Sequence, residues 1–428
     1  MSKKIPKDKN IVLLVAFGIS PGIKELKEGR ELKGCRFALL HQKKASTDKQ
    51  KELLEEFDIV IRCNLDSHKA LTKAIKPFEK ELLAVTCRGE VNIPALQKVI
   101  PHVPYLRTPT TESLDWSTNK LKMRRCFAAY DRSITPKFMV VKDAQKNTLK
   151  KIGEKIGFPL IIKPVGLATS LLVSVAFYHE EMESSLKKTL RKINKLHKDL
   201  SGRGTPEILV EQFIDGEMYS VDAHIGSRGS AQFNPFVHVK TGHSVGFDDF
   251  FAYQTITPAK LNKNSIKEAQ EVSMKAIRAL KLRSVTAHIE LLQTEGGWKV
   301  IEVGPRMGGF RHLMYKLSYG IDTTTNDVAT RIPRKISIPK REKGHTAVLK
   351  YYAKKEGVIK NVTGIKKVCE LKSFHSLKSN KKVGDRAVFA KHGGKEIFRV
   401  ILFNKERSKL LADIRRCEQM IMIKTAKN

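Results

Sequence analysis

Acidic side chains are scarce in this chain. Its 428 residues carry 80 Lys and Arg against 44 Asp and Glu, a formal net charge of +36 at pH 7. The imbalance excludes a strongly anionic surface and predicts attraction to polyanions: nucleic acid, an anionic membrane or nucleotides. Aromatic residues are only 7% of the chain. They are not interleaved with the densest basic stretches, KKTLRKINKLHK (187–198) and KREKGH (340–345), as a base-stacking platform requires. Nucleic acid is therefore not the favoured partner, and the lysines read as solvated faces. The cysteines, at 35, 63, 87, 126, 369 and 417, include no C-x-x-C pair. Neither a zinc site nor a disulfide framework is signalled, which fits a reducing cytoplasm. No apolar run is long enough to span a membrane. MSKKIPKDKN followed by IVLLVAFGI imitates a secretory signal, but the apolar run has nine residues and no A-x-A site follows. It reads better as a buried first strand. No G-x-G-x-x-G follows it, so a dinucleotide site there is unsupported.

What is present is a succession of short apolar runs. IVLLVAF (11–17), RFALLH (36–41), DIVIRCN (58–64) and LLAVTC (82–87) alternate with helical patterns in DKQKELLEEF (48–57) and HKALTKAIKPFEKE (68–81). That is the signature of a parallel sheet covered on both faces, a doubly wound first domain. Further on, FPLIIKPVG (158–166) reads as a strand pair with a lysine at its end, and ILVEQFIDGEMYSVDAHIG (208–226) as strand, connection, strand. SIKEAQEVSMKAIRALK (265–281) has one apolar face, with Ser265 as its expected cap and Glu268 at the capping-box position. SVTAHIELLQT (284–294) and WKVIEV (298–303) predict a hairpin across residues 295–297. The last ninety or so residues are strand-rich with one helix, SKLLADIRRCEQMI (408–421). The fold class expected is α/β, with α+β character in the central part.

Several residues carry chemistry. In that hairpin, Glu290 and Glu302 pair if the register is direct. Two adjacent carboxylates repel unless a cation lies between them, and oxygen donors of this kind suit Mg2+; two unrelated acids on a solvated face remain the alternative. Lys163 ends an apolar strand, so it either reaches beyond the sheet or snorkels. The small residues of VGLATSLLVS (165–174) allow backbone amides to approach a phosphate. VEQFIDGE (210–217) offers apolar groups and amides for a purine edge and an acid for ribose hydroxyls, or simply a strand–turn–strand unit.

Together, in order and spacing, these motifs resemble the ATP-grasp ligase superfamily. The resemblance starts with RGEVNIPALQKVI (88–100), similar to the family's acid-and-helix segment, and runs over most of the chain. It implies a pre-ATP-grasp domain at 1–111, an ATP-grasp domain at 112–335 (small lobe about 112–207, large lobe about 208–335) and a C-terminal subdomain at 336–428. It implies ATP and Mg2+ or Mn2+ as cofactors, with Lys120 of NKLKMRR (119–125) and Lys163 on the phosphates. Glu211, Gln212, Phe213 and Ile214 match the adenine-binding hinge, Glu217 the ribose acid, and Glu290 with Glu302 the metal ligands. Arg306 would hold the substrate carboxylate or acyl phosphate, since a guanidinium grips such groups bidentately. Arg311 and His288 are further substrate candidates. The implied reaction is ligation of a small-molecule carboxylate to an amine through an acyl phosphate.

One departure stands out in IEVGPRMGG (301–309): Gly304 occupies a position where many members carry a metal-binding Asn. The E-V-x-P-R form resembles the formate- and bicarbonate-using purine-biosynthesis branch. KPVGLATSLLVSV, EGVIKNVTGI (356–365) and GDRAVFAKHGGKEIF (384–398) resemble instead the L-amino-acid ligases of the dipeptide- and carnosine-synthase type. A non-catalytic basic nucleotide- or nucleic-acid-binding protein is the third alternative. TGHSVGFDDFFAYQ (241–254) is a candidate lid, and a homodimer is expected because dimers are common among similar ligases.

Overall fold

The computed structural model describes residues 8–18, 23–42, 47–165, 172–199, 207–247 and 251–426. Its architecture is mixed α/β. Four parallel strands, Ile11–Ala16, Arg36–His41, Ile59–Arg62 and Leu82–Thr86, form the first sheet, in spatial order 59–62, 36–41, 11–16, 82–86. Every residue of Ile11–Ala16 is buried, as an apolar run without alternation requires when both faces are covered. One face takes Leu71, Ile75, Ile93, Leu96 and Val99 from helices. The other takes Ile23, Leu26 and Leu32, together with Val328 and Ile332 from far along the chain. The first sheet is thus closed by the helix Thr323–Ala329, and Thr86 Oγ1 donates to Asp327 Oδ2 at 3.0 Å across that contact.

A second, antiparallel sheet runs Phe138–Val141, Ile208–Gln212, Leu160–Pro164, Ser174–Ala176. Helices Lys146–Lys155 and His179–Asp199 cover it through Leu149, Ile152, Met182 and Leu186. The strand pair expected in FPLIIKPVG is one strand, Leu160–Pro164, because both its partners come from elsewhere in the chain.

The largest sheet has nine strands. Gly297–Gly304, Val285–Thr294, Glu217–Ile225, Val237–Thr241, Ala252–Thr257, His345–Tyr351, Phe398–Asn404 and Phe374–Ser379 follow one another in space, and Ala231–Phe233 pairs beside Glu217–Ile225. It runs on past residue 335 without a break. Helix Lys263–Ala279 packs on one face through Ala269, Ala276 and Ile277, against Val221, Ile289 and Val303. Helix Arg311–Tyr319 packs on the other through Met314 and Tyr315, against Val237, Val348 and Ile401. The cap of the 263–279 helix is Asn262, whose side chain accepts from Ser265 N at 2.8 Å, not Ser265 itself. An Asn capping from three residues earlier adds a turn that the apolar periodicity alone does not reveal. A three-stranded sheet, Arg386–Ala387, Gly357–Thr363 and Met422–Ala426, and helix Arg407–Met420 complete the C-terminal part. No helix among the described residues is long and apolar enough to cross a membrane.

Candidate active site

Strand alternation sorts the 285–304 hairpin into two faces. Ile289, Leu291 and Val303 enter the core under the 263–279 helix, so His288 and Glu290 point the other way. Glu290 stands directly opposite Glu302, and His288 opposite Gly304. Lys120 Nζ lies 3.0 Å from Glu302 Oε2, and His288 Nε2 3.6 Å from Glu290 Oε1. The other oxygen of each carboxylate, Glu290 Oε2 and Glu302 Oε1, takes no hydrogen bond among the described residues.

His288 is held from beneath. Its Nδ1 is 2.7 Å from Oδ1 of Asp222, a fully buried acid on the neighbouring strand, where the two residues pair directly. Asp222 Oδ2 accepts from Gly308 N at 3.0 Å. A Cβ at Gly308 would come within 2.4 Å of His288 Nδ1 and 2.5 Å of Arg311 Cγ, so only glycine lets this backbone approach. Gly309, by contrast, faces open space. Burial pushes the His288 pKa down, but hydrogen bonds to Asp222 and Glu290 more than reverse it, and the net shift is upward.

Lys120 opens the helix Lys120–Tyr130, whose Asn119 cap accepts from the backbone of Leu121 and Lys122, each at 3.0 Å. One turn on, Arg124 shares its face. The Arg124 side chain is buried; Nε donates to Glu211 Oε1 at 2.6 Å and Nη2 to Ile301 O at 2.7 Å. Glu211 also pairs with Lys163. This one helix therefore ties the small sheet, carrying Glu211 and Lys163, to the large sheet beside Glu302. Burial opposes ionisation of Glu211, yet Arg124 and Lys163 hold its pKa down at about 2. Burial brings Lys163 down to about 8, with Glu211 opposing and Arg124 adding to the shift. By the same balance Lys120 is raised: burial lowers it, and Glu302 with Glu90 and Glu290 outweighs burial.

The expected hinge splits. Glu211 shares the face of Lys163, where it joins the buried ion cluster, and alternation turns Gln212 to the opposite face. Gln212 is exposed, Phe213 and Ile214 are half-buried, and Phe213 N donates to Pro159 O at 3.1 Å. The chain then crosses from the small sheet to the large one at Glu217, which is exposed and lies 2.5 Å from His238 Nε2.

Arg306 folds back over Gly304: a Cβ there would lie 3.5 Å from its Cζ. Its Nε and Nη2 donate to Glu90 Oε2 at 3.1 and 2.9 Å. Glu90 follows the last strand of the parallel sheet, in a turn pinned by Asn92, which accepts from Phe17 N at 3.1 Å and donates to Arg88 O at 2.8 Å. Burial lowers the Arg306 pKa, but Glu90, Glu302 and Glu290 outweigh it, and the net shift is upward. Arg311, also buried, donates from Nη2 to Ser220 Oγ at 2.8 Å, and its Nε has no partner among the described residues. Residues 166–171 of the small-residue loop and 248–250 of the candidate lid lie outside the described residues.

Sequence reasoning assigned no role to Asp222 or Arg124. Polar Ser220, Asp222 and His224 at alternate places in an otherwise apolar strand were a readable signal; a buried arginine among solvated ones, in KMRRCF, left none.

The paired acids fit a divalent cation as two hard oxygen donors with free lone pairs. Among the described residues no group of three or more His, Cys, Asp and Glu is arranged around a metal, so the remaining ligands would be phosphate and water oxygens.

Residues 156–313 match the ATP-grasp domain family model. The chain is 25% identical over 254 residues to alanine–anticapsin ligase of Bacillus amyloliquefaciens, covering 56% of this chain and 52% of that protein. It is 27% identical over 201 residues to the formate-dependent phosphoribosylglycinamide formyltransferase of Wolinella succinogenes, covering 46% of each. The chain thus spans about half the length of the curated relatives it matches. The crystal structure of an L-amino acid ligase from Bacillus licheniformis superposes with a TM-score of 0.78 over 99% of this chain and 100% of that one, at 18% identity, which establishes a shared fold.

Proposed function

The chain carries an ATP-grasp domain over residues 156–313, and from that premise we propose that it is an ATP-dependent carboxylate–amine ligase. The observation that carries this reading is the pairing of two acids of the large sheet, Glu290 opposite Glu302, with the half-buried Lys120 on Glu302 and the buried Lys163 on Glu211 of the small sheet, which Arg124 ties to the large one.

A substrate carboxylate oxygen attacks the γ-phosphorus of ATP, the bond to the β,γ-bridging oxygen breaks, and ADP leaves with an acyl phosphate formed. An amine nitrogen then attacks the acyl carbon, phosphate leaves, and the nitrogen loses a proton to give the amide. Both partners in the first step are anions, so catalysis is chiefly charge neutralisation and positioning. Lys120 and Lys163 bind phosphate oxygens. Gln212, Phe213 and Ile214 line the nucleotide base and Glu217 the ribose. Arg306, held at its back by Glu90, presents its remaining donor edge to the substrate carboxylate or the acyl phosphate, and Arg311 is a further candidate for a substrate carboxylate. His288, whose pKa Asp222 and Glu290 raise against burial, orients Glu290. Glu290 and Glu302 would hold Mg2+ or Mn2+, which supplies positive charge to the phosphates when bound. The parts at 1–111, 112–335 and 336–428 would contribute the acid at Glu90, the nucleotide site and the far wall of the substrate site.

Alanine–anticapsin ligase and the L-amino acid ligase support amino acids as substrates. The Gly304-Pro305-Arg306 sequence and the likeness to the formate-dependent enzyme support a second reading, with formate or bicarbonate as the acid. ADP release measured over amino acids, formate and bicarbonate, each with and without amine acceptors, separates them. Release with amino-acid pairs alone establishes the first; no release with any acid, alongside salt-sensitive RNA binding, replaces both with a non-catalytic polyanion-binding role.

A further inference from the structure

Beyond Arg311, the site face of the large sheet continues toward the C-terminal strands. Direct pairing carries the face from Ser220 to Val237 and from Val239 to Thr255 and Val348. Two residues along from Val348, on the same side, is Lys350, paired with Arg399, which in turn pairs with Lys378. A row of three cations across adjacent strands is repulsive and needs a reason.

Phe310 organises two of them. It sits in the left-handed region at φ 61, an uncommon conformation for a bulky residue. Its ring lies under the Arg399 guanidinium, 3.9 Å from centroid to Cζ, with Lys350 Nζ at 5.5 Å. Arg399 is neutralised by Glu396 at 3.0 Å. Lys350 is not: among the described residues its ammonium has no hydrogen bond or ion pair. Burial pushes its pKa down, Glu396 opposes this, and Arg311 and Arg399 push it down further; the charge of Glu290 also reaches it. Next to it along the site face, the buried Arg311 Nε also lacks an acceptor. Two cationic donors, the half-buried Lys350 ammonium and the buried Arg311 Nε, are thus left without an acceptor among the described residues.

We propose that Lys350, with Arg311, forms a binding subsite for a carboxylate of the substrate that is not the one being activated, such as the α-carboxylate of an amino-acid substrate. The inference rests on the ligase reading. It adds a determinant that excludes simple amines and formate: without a second carboxylate the two donors stay unpaired, and a site built for a polar group rejects the analogue lacking it.

The test uses the whole protein with Mg2+ and ADP, and as probes a pool of proteinogenic L-amino acids and the matching pool of L-amino-acid amides. The amino acids raise the melting temperature of the wild type and the amides do not. Lys350→Met loses that shift while keeping wild-type ADP affinity, Lys350→Arg keeps part of it, and KM for the carboxylate-bearing substrate rises at least about 30-fold in the Met variant. Without probe, Lys350→Met melts higher than the wild type, since it removes an unpaired, half-buried charge. A ligase that releases ADP but is stabilised equally by amides, or whose Lys350→Met form keeps its amino-acid shift, overturns the subsite. A lower probe-free melting temperature in Lys350→Met shows the lysine to be structural and overturns it too. Absence of ADP release with every acid and amine, with the amino-acid shift intact and lost in Lys350→Met, overturns the ligase reading and leaves the carboxylate subsite standing.

Discussion

The guanidinium of Arg306 grips one oxygen of Glu90 with two donors, at 3.1 and 2.9 Å, across 216 residues of chain. The parallel sheet thereby sets the direction of an arginine that follows the strand Gly297–Gly304 of the large sheet. Glu90→Gln keeps the shape and removes the charge. The expected outcome is a rise of about tenfold in KM for the acid substrate, equivalent to about 1.4 kcal/mol, with nucleotide affinity unchanged; steady-state kinetics beside ADP titration measures both. Arg306→Lys loses the two-point grip altogether, and turnover falls at least ~100-fold with ADP still bound. Unchanged kinetics in Arg306→Lys would leave the guanidinium a purely structural role.

Glu302→Gln leaves the strand register intact but removes one of two facing carboxylates and the ion pair to Lys120. ATP turnover is expected to drop about a thousandfold with an unchanged circular-dichroism melt. Mn2+ binding followed by electron paramagnetic resonance reads the same loss without turnover. Full ADP release by this variant would sink the assignment of Glu290 and Glu302 as metal ligands.

Lys163, brought down to about 8 by burial, must be protonated to meet a phosphate. Nucleotide affinity is therefore level below pH 8 and falls, by up to about tenfold per pH unit, above it. Titration calorimetry at pH 9 in buffers of different ionisation enthalpy should detect uptake of about one proton per nucleotide. Lys163→Arg flattens the profile, since a guanidinium stays charged throughout.

Arg124 satisfies Glu211 where water cannot. Arg124→Met leaves that buried carboxylate to Lys163 alone, and the expected cost is about 3–5 kcal/mol in denaturant unfolding. Arg124→Met combined with Glu211→Gln costs less than Arg124→Met by itself, because the orphaned charge is gone. The folded-state pKa of Glu211, about 2, is depressed below its ordinary 4.5. Its contribution to stability is thus complete above pH 4.5 and is lost as pH falls toward 2. Arg124→Met weakens that acid dependence.

Gly308→Ala places a methyl within 2.4 Å of His288 Nδ1. Overpacking of this kind costs about 1–3 kcal/mol, and the imidazole must leave Asp222 to relieve it. Turnover falls while the affinity for ADP, set in this reading by Lys120, Lys163 and the 212–217 segment, is kept. A crystal structure of the variant with His288 still on Asp222 would contradict this account.

What the amino-acid order determined by itself was local. Unbroken apolar runs imposed the buried parallel strands, because a strand covered on both faces has no polar side to show. The short turn after Thr294 imposed the hairpin and its register as far as Leu291 with Val300, because a hairpin's register follows from its turn, but only an irregularity between Glu290 and Leu291 brings Glu302 rather than Ile301 opposite Glu290. Helix periodicity placed the apolar face of 263–279, though its true start at the Asn262 cap fell outside the periodic stretch. The tertiary structure decided everything that depends on distant partners: Asp222 beneath His288, Arg124 and Lys163 on Glu211, Glu90 behind Arg306, and a sheet that continues beyond residue 335 to bring Lys350 to the site face. A buried ion pair leaves no periodic trace, and Arg124 reads the same in sequence as the solvated Arg125 beside it. Only when the lobes pack does one lose its water and become a structural charge, while the other keeps it.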